Sequence, residues 1–459
     1  MTLPDDFISY TRRMMGDARW NRFVRALDEE APVSIRTNPL KPAALTFRSA
    51  ATVPWCSDAF FLDGRPVFTA DPLFHAGTYY VQEAASMFLW QVMSQYVTRP
   101  VLMLDLCAAP GGKSTLARSI LPRGSVLVSN EPVRKRAAVL AENMQKWGHP
   151  DVIVTSCYPD AFSRCDALFD VILADVPCSG EGMFRKDRDA VAGWNVRNVA
   201  ECRNLQRRII GDIWHSLRPG GLLIYSTCTY NTSENEENVA YIAGTLGADI
   251  LPVDIDDAWG ITGSLLDGFS APVCRFIPGC TQGEGLFMAV LRKHDDRAAA
   301  HDRRRLRKKK GRHSPDVSLP RQWLKNPDGF VFHVRDDVTA IPRSWNDVYE
   351  TLDGPLDIIH AGIRLGRIKG RDIIPAQSLA MSVCLDSDAF TAVEADLVTA
   401  IAYLSKETVT MPEGTPRGNI LLTYGSRPLG FVRNIGNRAN NLYPSEWKIR
   451  NRNMLRSMP

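Results

Sequence analysis

Between Val101 and Lys293 short apolar runs alternate with stretches whose apolar positions recur at helical spacing. The runs at 101–106, 125–131, 151–156, 169–175 and 222–227 predict strands buried on both faces. The spaced stretches predict helices over 113–121, 133–147, 200–217 and 234–246. Strands and helices that take turns make an α/β, doubly wound parallel sheet, with ligands at the carboxyl ends of its strands. Leu286–Lys293 is one more apolar run after the Gly-rich segment 279–285, and it predicts a closing strand antiparallel to the rest.

The flanks read differently. Residues 1–75 combine a helical pattern, Asp5–Leu27, with short β-like runs at Val33–Arg36 and Ala59–Leu62, broken by Pro32, Pro39, Pro42 and Pro54. They predict a small α+β domain, in which Arg36, Asn38 and Lys41 are either phosphate contacts or ordinary surface. Gln82–Tyr96 has helical apolar spacing and predicts a helix leading into the sheet. The charged segment around 295–319 predicts a linker. From 320 to 459 β-like runs return, at Gly329–Val334, Asp357–Ile368, Ile420–Thr423 and Pro428–Val432, and basic residues alternate with apolar ones over Ile363–Arg371. The expected organisation is therefore 1–75, 76–294, a linker at 295–319, and 320–459.

A chain of 459 residues exceeds one ordinary core, and 45% hydrophobic with 23% charged residues is a globular composition. No apolar run reaches the ~18 residues of a membrane span. The start, Thr2-Leu-Pro-Asp-Asp6, lacks the basic-then-apolar order of a secretory signal. Ten cysteines without a Cys-x-x-Cys pair argue against a zinc module and a disulfide scaffold, so no metal and a reduced, cytoplasmic setting are expected. The net charge of +4 is mild, but Arg303–Arg312 is a dense basic run suited to a polyanion or to a solvated linker.

Candidate chemistry starts at Leu104-Asp-Leu-Cys-Ala-Ala-Pro-Gly-Gly-Lys-Ser114, a predicted strand, Gly-rich turn and helix start. Gly111 and Gly112 allow close backbone approach of a nucleotide-like ligand. A P-loop would need Gly where Cys107 stands, and the dinucleotide spacing Gly-x-Gly-x-x-Gly is absent. An S-adenosylmethionine (SAM) pocket needs no pyrophosphate cradle, and Glu131, at the end of the next run, suits a ribose diol. A tight turn that binds nothing is the bland alternative.

Asp175-Val-Pro-Cys-Ser-Gly180 and Ser226-Thr-Cys-Thr229 each follow a predicted strand, so Asp175, Cys178 and Cys228 converge on the same crevice as the loop. One thiol there would usually be packing. Two thiols and an acid beside a methyl-sulfonium donor suit a different job. Carbon 5 of a pyrimidine is a poor nucleophile until a thiolate adds at carbon 6. Asp175 then suits hydrogen bonding to the cytosine edge. A deaminase would need Cys at position 181, which is Glu.

The segments Asp105–Lys113, Asp175–Gly180 and Ser226–Thr229, followed by Glu234-Asn-Glu236, resemble the RNA cytosine-5 methyltransferases of the Fmu/Sun/Nop type over about residues 75–293. The flanking segments Tyr79–Glu83, Gly182–Asp187, Gly430–Arg433 and Asn441–Pro444 are most similar to the branch called RsmF, which methylates small-subunit ribosomal RNA and carries a PUA-like RNA-binding tail. The resemblance implies a Rossmann-like SAM-dependent domain, with Cys228 as the nucleophile, Cys178 assisting breakdown of the adduct, and Lys113 in the active site. It implies that Cys107, Ala108, Ala109, Pro110, Gly111, Gly112 and Lys113 line the SAM site with Glu131 and Asp175. An adenine-holding residue is expected after the third strand, where Ser156-Cys-Tyr-Pro-Asp160 is irregular and Asp160 is the candidate.

The expected partner is RNA, either 16S ribosomal RNA or the 30S subunit, with no membrane and the chain acting as a monomer. Alternatives are transfer RNA as substrate, DNA as substrate with Cys178 as nucleophile, an NTPase, or a non-catalytic RNA-binding assembly factor with a vestigial SAM fold.

Overall fold

The structure is a computed structural model and describes residues 2–45, 47–295 and 318–450. The basic run 303–312 and most of the expected linker lie outside the described residues.

Two helices, Asp5–Met15 and Asp17–Leu27, stand where one was predicted, and the chain turns between them at Gly16. Phe7 and Phe23 on their apolar stripes pack against Phe184, Trp194 and Tyr230. These helices therefore back the two loops that carry Cys178 and Cys228. Four strands follow, β1 (Val33–Thr37), β2 (Ser49–Val53), β3 (Cys56–Leu62) and β4 (Tyr79–Val81), in the order β2-β3-β1-β4. The last lies beyond residue 75. Arg36, Asn38 and Lys41 are neither surface nor phosphate contacts: all three are buried. Asn38 donates to Gly77 O and Trp147 O, and Lys41 to Ala76 O and Lys146 O.

The helix predicted from Gln82 begins only at Leu89 and runs to Tyr96. The Glu83 carboxylate accepts from Ala85 N at 2.9 Å and Ser86 N at 3.0 Å, which starts a short 3-10 turn instead. Gln82 is drawn aside by the Arg36 guanidinium, which donates to its Oε1 at 3.1 Å.

The central sheet contains β5 (Leu102–Asp105), β6 (Val126–Asn130), β7 (Val152–Thr155), β8 (Phe169–Asp175), β9 (Leu217–Thr227), β10 (Ala248–Leu251), β11 (Cys274–Phe276) and β12 (Leu286–Lys293). Its order is β10-β12-β9-β8-β5-β6-β7, with β5 to β9 parallel and β12 antiparallel to β9, as the sequence predicts. Met103, Leu127, Val154 and Leu173 fill one face; Leu104, Val128, Ile153 and Ile172 fill the other. Burial on both faces is why these strands read as unbroken apolar runs. The strand order reverses between β5 and β8, and that switch point opens the crevice at their carboxyl ends.

The C-terminal strands are β13 (Phe330–Val334), β14 (Asp337–Pro342), β15 (Ile358–Ala361), β16 (Ile363–Lys369), β17 (Asp372–Pro375), β18 (Thr391–Glu394), β19 (Gly418–Tyr424), β20 (Arg427–Asn434) and β21 (Ala439–Asn441). They form sheets β13-β14-β16-β17 and β18-β19-β20-β21, except that β15 pairs antiparallel with β7. The run 357–368, which reads as one β segment, is thus split between two sheets. Gly362 makes the switch: its φ is +56°, and a Cβ there would stand 2.4 Å from Ala340 O. Trp345, Leu352, Leu356 and Ala361 share the core of the central sheet, so residues after 320 do not begin a wholly separate unit. Among the described residues no helix is long and apolar enough to cross a membrane.

Candidate active site

The turn after β5 runs directly into the helix Gly112–Ile120. It faces β4 across a cavity of about 210 Å³ lined by Tyr80–Glu83 and Ser86 on one side. Asp105, Cys107–Pro110, Gly112, Lys113 and Asp175 line the other. Arg36 ties the two walls together. It stacks 4.5 Å from the Trp147 ring and donates to Thr115 Oγ1 at 2.7 Å as well as to Gln82.

Asp105 is fully buried, and its Oδ2 accepts from Ser114 Oγ at 2.6 Å, while its Oδ1 has no partner. Burial first, with the Asp175 charge adding, pushes its pKa up to about 7 against the Ser114 hydrogen bond and Lys113. An unpartnered carboxylate oxygen on a cavity beside a second carboxylate fits a cationic ligand such as SAM, with its sulfonium and ammonium groups. Cys107 is raised by burial and then by the acidic neighbours, so it lines the cavity as a neutral thiol.

Glu131 directly follows β6, one residue past the end of the strand, but it does not line the cavity. It is 1% exposed, its Oε1 accepts from Val133 N at 3.0 Å, and its Oε2 lies 3.3 Å from Arg136. Asp160 lies on a 3-10 turn after β7, exposed and also outside the cavity lining. Asn130 ties the ends of β5 and β7 together by donating to Leu106 O and Cys157 O.

Neighbouring parallel strands β8 and β9 deliver the two thiols, and Cys178 Sγ stands 3.2 Å from Cys228 Sγ. Lys113 Nζ donates to Asp175 Oδ2 at 2.8 Å. The Cys178–Cys228 hydrogen bond, with Lys113 assisting, lowers the Cys228 pKa against burial and the Asp175 charge. The same bond, then burial, raises Cys178 well above the ordinary thiol range. The pair therefore divides into a thiolate-prone Cys228 and a proton-holding Cys178.

Gly182 N donates to Cys228 O at 2.7 Å, and a Cβ on Gly182 would stand 2.2 Å from that oxygen. Gly182→Ala is expected to cost about 1–3 kcal/mol by overpacking. It should also slow Cys228 alkylation by iodoacetamide; an unchanged denaturation midpoint and alkylation rate would refute this.

Three family models cover most of the chain. The 16S rRNA methyltransferase RsmB/F model matches 98–292, the N-terminal domain of 16S rRNA methyltransferase RsmF matches 3–84, and the methyltransferase RsmF PUA domain matches 390–449. The ribosomal RNA small subunit methyltransferase F of Vibrio parahaemolyticus is 27% identical, with 98% of each chain covered. That of Aeromonas salmonicida is 30% identical, with 97% of each covered. The chain belongs to the ribosomal RNA small subunit methyltransferase F family. A solved methyltransferase homolog protein from Pyrococcus horikoshii has a TM-score of 0.52 and 25% identity, covering 63% of this chain and all (100%) of its own.

In this chain the N-terminal match to residue 84 includes β4 and the Gln82–Glu83 wall of the cavity. Tyr80, Gln82, Glu83 and Ser86 are pocket residues, of which the apolar spacing places Gln82, Glu83 and Ser86 in a helix. The signal is Gln82-Glu83 followed by Ser86 in an otherwise apolar stretch, polar groups that a buried helix would have to satisfy.

Proposed function

We propose that the protein is a SAM-dependent ribosomal RNA methyltransferase that methylates carbon 5 of a cytosine in small-subunit ribosomal RNA through a covalent Cys228 adduct. The contact between a thiolate-prone Cys228 and a protonated Cys178, beside the Lys113–Asp175 pair, carries this reading. A non-catalytic binding protein has no use for it. The 107–113 turn with Asp105 and Asp175 would hold SAM, which would supply an electrophilic methyl group; Glu131 and Asp160, both outside the cavity lining, are the candidates by resemblance for its ribose and adenine. Cys228 adds to carbon 6 and makes carbon 5 nucleophilic. Asp175, held by Lys113, hydrogen-bonds the cytosine edge. After methylation the carbon-5 proton leaves, and Cys228 departs as a thiolate stabilised by the Cys178 thiol. The 390–449 region serves as the RNA-binding module.

Unmodified small ribosomal subunits incubated with the protein and SAM should yield 5-methylcytidine by nucleoside mass spectrometry. Unmodified subunits and unmodified naked RNA would refute the reading.

SAM affinity should rise several-fold from about pH 6 to 7.5, because a bound cation favours the ionised form of a carboxyl titrating near 7. Below the folded-state pKa of Asp105 the carboxyl is neutral and the attraction is lost. Calorimetry with Asp105→Asn should show weaker binding and a flattened slope; a wild-type slope in that variant would refute the assignment.

A further inference from the structure

The two cysteine loops are braced by a reciprocal pair of buried carboxylates. Glu181, three residues after Cys178, accepts at Oε2 from Tyr230 N at 2.7 Å and Asn231 N at 3.0 Å, the backbone just past Cys228. Glu234, six residues after Cys228, accepts at Oε2 from Ser179 N at 3.0 Å, the backbone just past Cys178. Each loop thus ends in a carboxylate that grips the other loop beside its cysteine. Asn231 Nδ2 joins the two, donating to Glu181 Oε1 at 3.0 Å and Glu234 Oε1 at 2.8 Å. Trp194 Nε1 completes Glu181, and Gln206 Nε2 completes Glu234. Both carboxylates are at most 1% exposed. Neither lines the cavity, so neither is placed to touch the cofactor.

We propose that Glu181 and Glu234 are positioning residues with separate targets: Glu181 sets Cys228 for attack, and Glu234 sets Cys178 for release of the adduct. This rests on the covalent reading above. Attack forms the Sγ–C6 bond and breaks the C5=C6 π bond, whose electron pair lets C5 take the methyl group of the sulfonium donor, which leaves as a neutral thioether. In release the C5–H bond breaks, its proton passes to solvent, and its electron pair forms the C5=C6 double bond. The C6–Sγ bond breaks with its pair on Cys228 Sγ, which then accepts a hydrogen bond from Cys178. Loosening Ser179 moves the donor of that last bond; loosening Tyr230 and Asn231 moves the nucleophile. All partners of both carboxylates are donors, so a glutamine places an amide N–H against an N–H and weakens the clasp without changing its size.

The two isosteric substitutions should therefore have opposite signatures. Glu234→Gln should slow turnover roughly tenfold and accumulate a protein–RNA adduct on a denaturing gel, with both cysteines intact. Glu181→Gln should slow adduct formation roughly tenfold and accumulate none. A general loss of folding would lower adduct and product together and produce no accumulation. Gln206→Leu, which withdraws support from Glu234 at a distance from the thiols, should give a weaker version of the Glu234→Gln signature. Thermal melting and SAM binding check that each variant folds. Cys178→Ala in the same gel separates two failures. If it accumulates adduct while Glu234→Gln and Gln206→Leu do not, the positioning assignment is overturned. If it does not accumulate adduct, the release role of Cys178, on which the assignment rests, fails. Identical behaviour of Glu181→Gln and Glu234→Gln would also overturn the assignment.

Discussion

Cys228→Ala is expected to abolish methyl transfer, a loss on the order of a thousandfold or more, and to leave no covalent protein–RNA product. The reason is that position 228 alone combines a lowered thiol pKa with the Cys178 hydrogen bond and the nearby Lys113 ammonium. Burial and the Asp175 charge work against that thiolate, so its ionisation depends on this arrangement and not on an intrinsically acidic site. Lys113 is well placed to supply the positive charge. Burial opposes its ammonium, but the Asp175 carboxylate and the hydrogen bond to it prevail and raise its pKa. Tritium transfer from labelled SAM to unmodified small subunits measures the effect; activity within tenfold of wild type would eliminate Cys228 as nucleophile. Retained activity there with loss in Cys178→Ala would reverse the roles of the two thiols and favour the DNA-type assignment.

Cys178→Ala should do something different: turnover falls by about a hundredfold, some 2.7 kcal/mol, while the adduct accumulates. Loss of the Cys178 hydrogen bond raises the Cys228 pKa and slows attack, but expulsion suffers more, because the departing sulfur must be stabilised as negative charge returns to it. Cys178, whose proton is held by the hydrogen bond and by burial, is the donor in contact with that sulfur. A band of retarded protein that survives denaturant and disappears with ribonuclease is the expected result. A variant that turns over normally, or one that neither turns over nor forms the band, would remove Cys178 from the release step.

The strands of the catalytic sheet and their parallel run were legible because parallel strands buried on both faces leave unbroken apolar runs between helical stretches. The loop at 107–113 and the two cysteine motifs were legible for a related reason. Each follows a strand directly, so knowing the strand places the side chain at the crevice. Where the reading went astray, the competing physics was tertiary. The Asp5–Leu27 stripe continues through Gly16 in pattern but not in space, because two separate helices are needed to cover both Phe184 and Tyr230. Arg36 and Lys41 look like surface basics, yet their donors are spent on internal acceptors that come from residues as far along as 115 and 146. β15 reads as part of a C-terminal unit, but an edge strand takes whichever open ladder lies beside it, and here that ladder is β7.

By itself, then, the sequence determined the sheet, the turn that lines the cavity, and which two thiols and which acid follow its strands on the same side, because each of these follows from local pattern and strand ends. Tertiary structure alone decided that the sulfurs touch, that Glu83 and Gln82 wall the cavity, and that Glu181 and Glu234 each hold the other's loop. Those outcomes depend on burial and on hydrogen bonds between residues about fifty to two hundred positions apart, distances over which a linear pattern carries no information about contact.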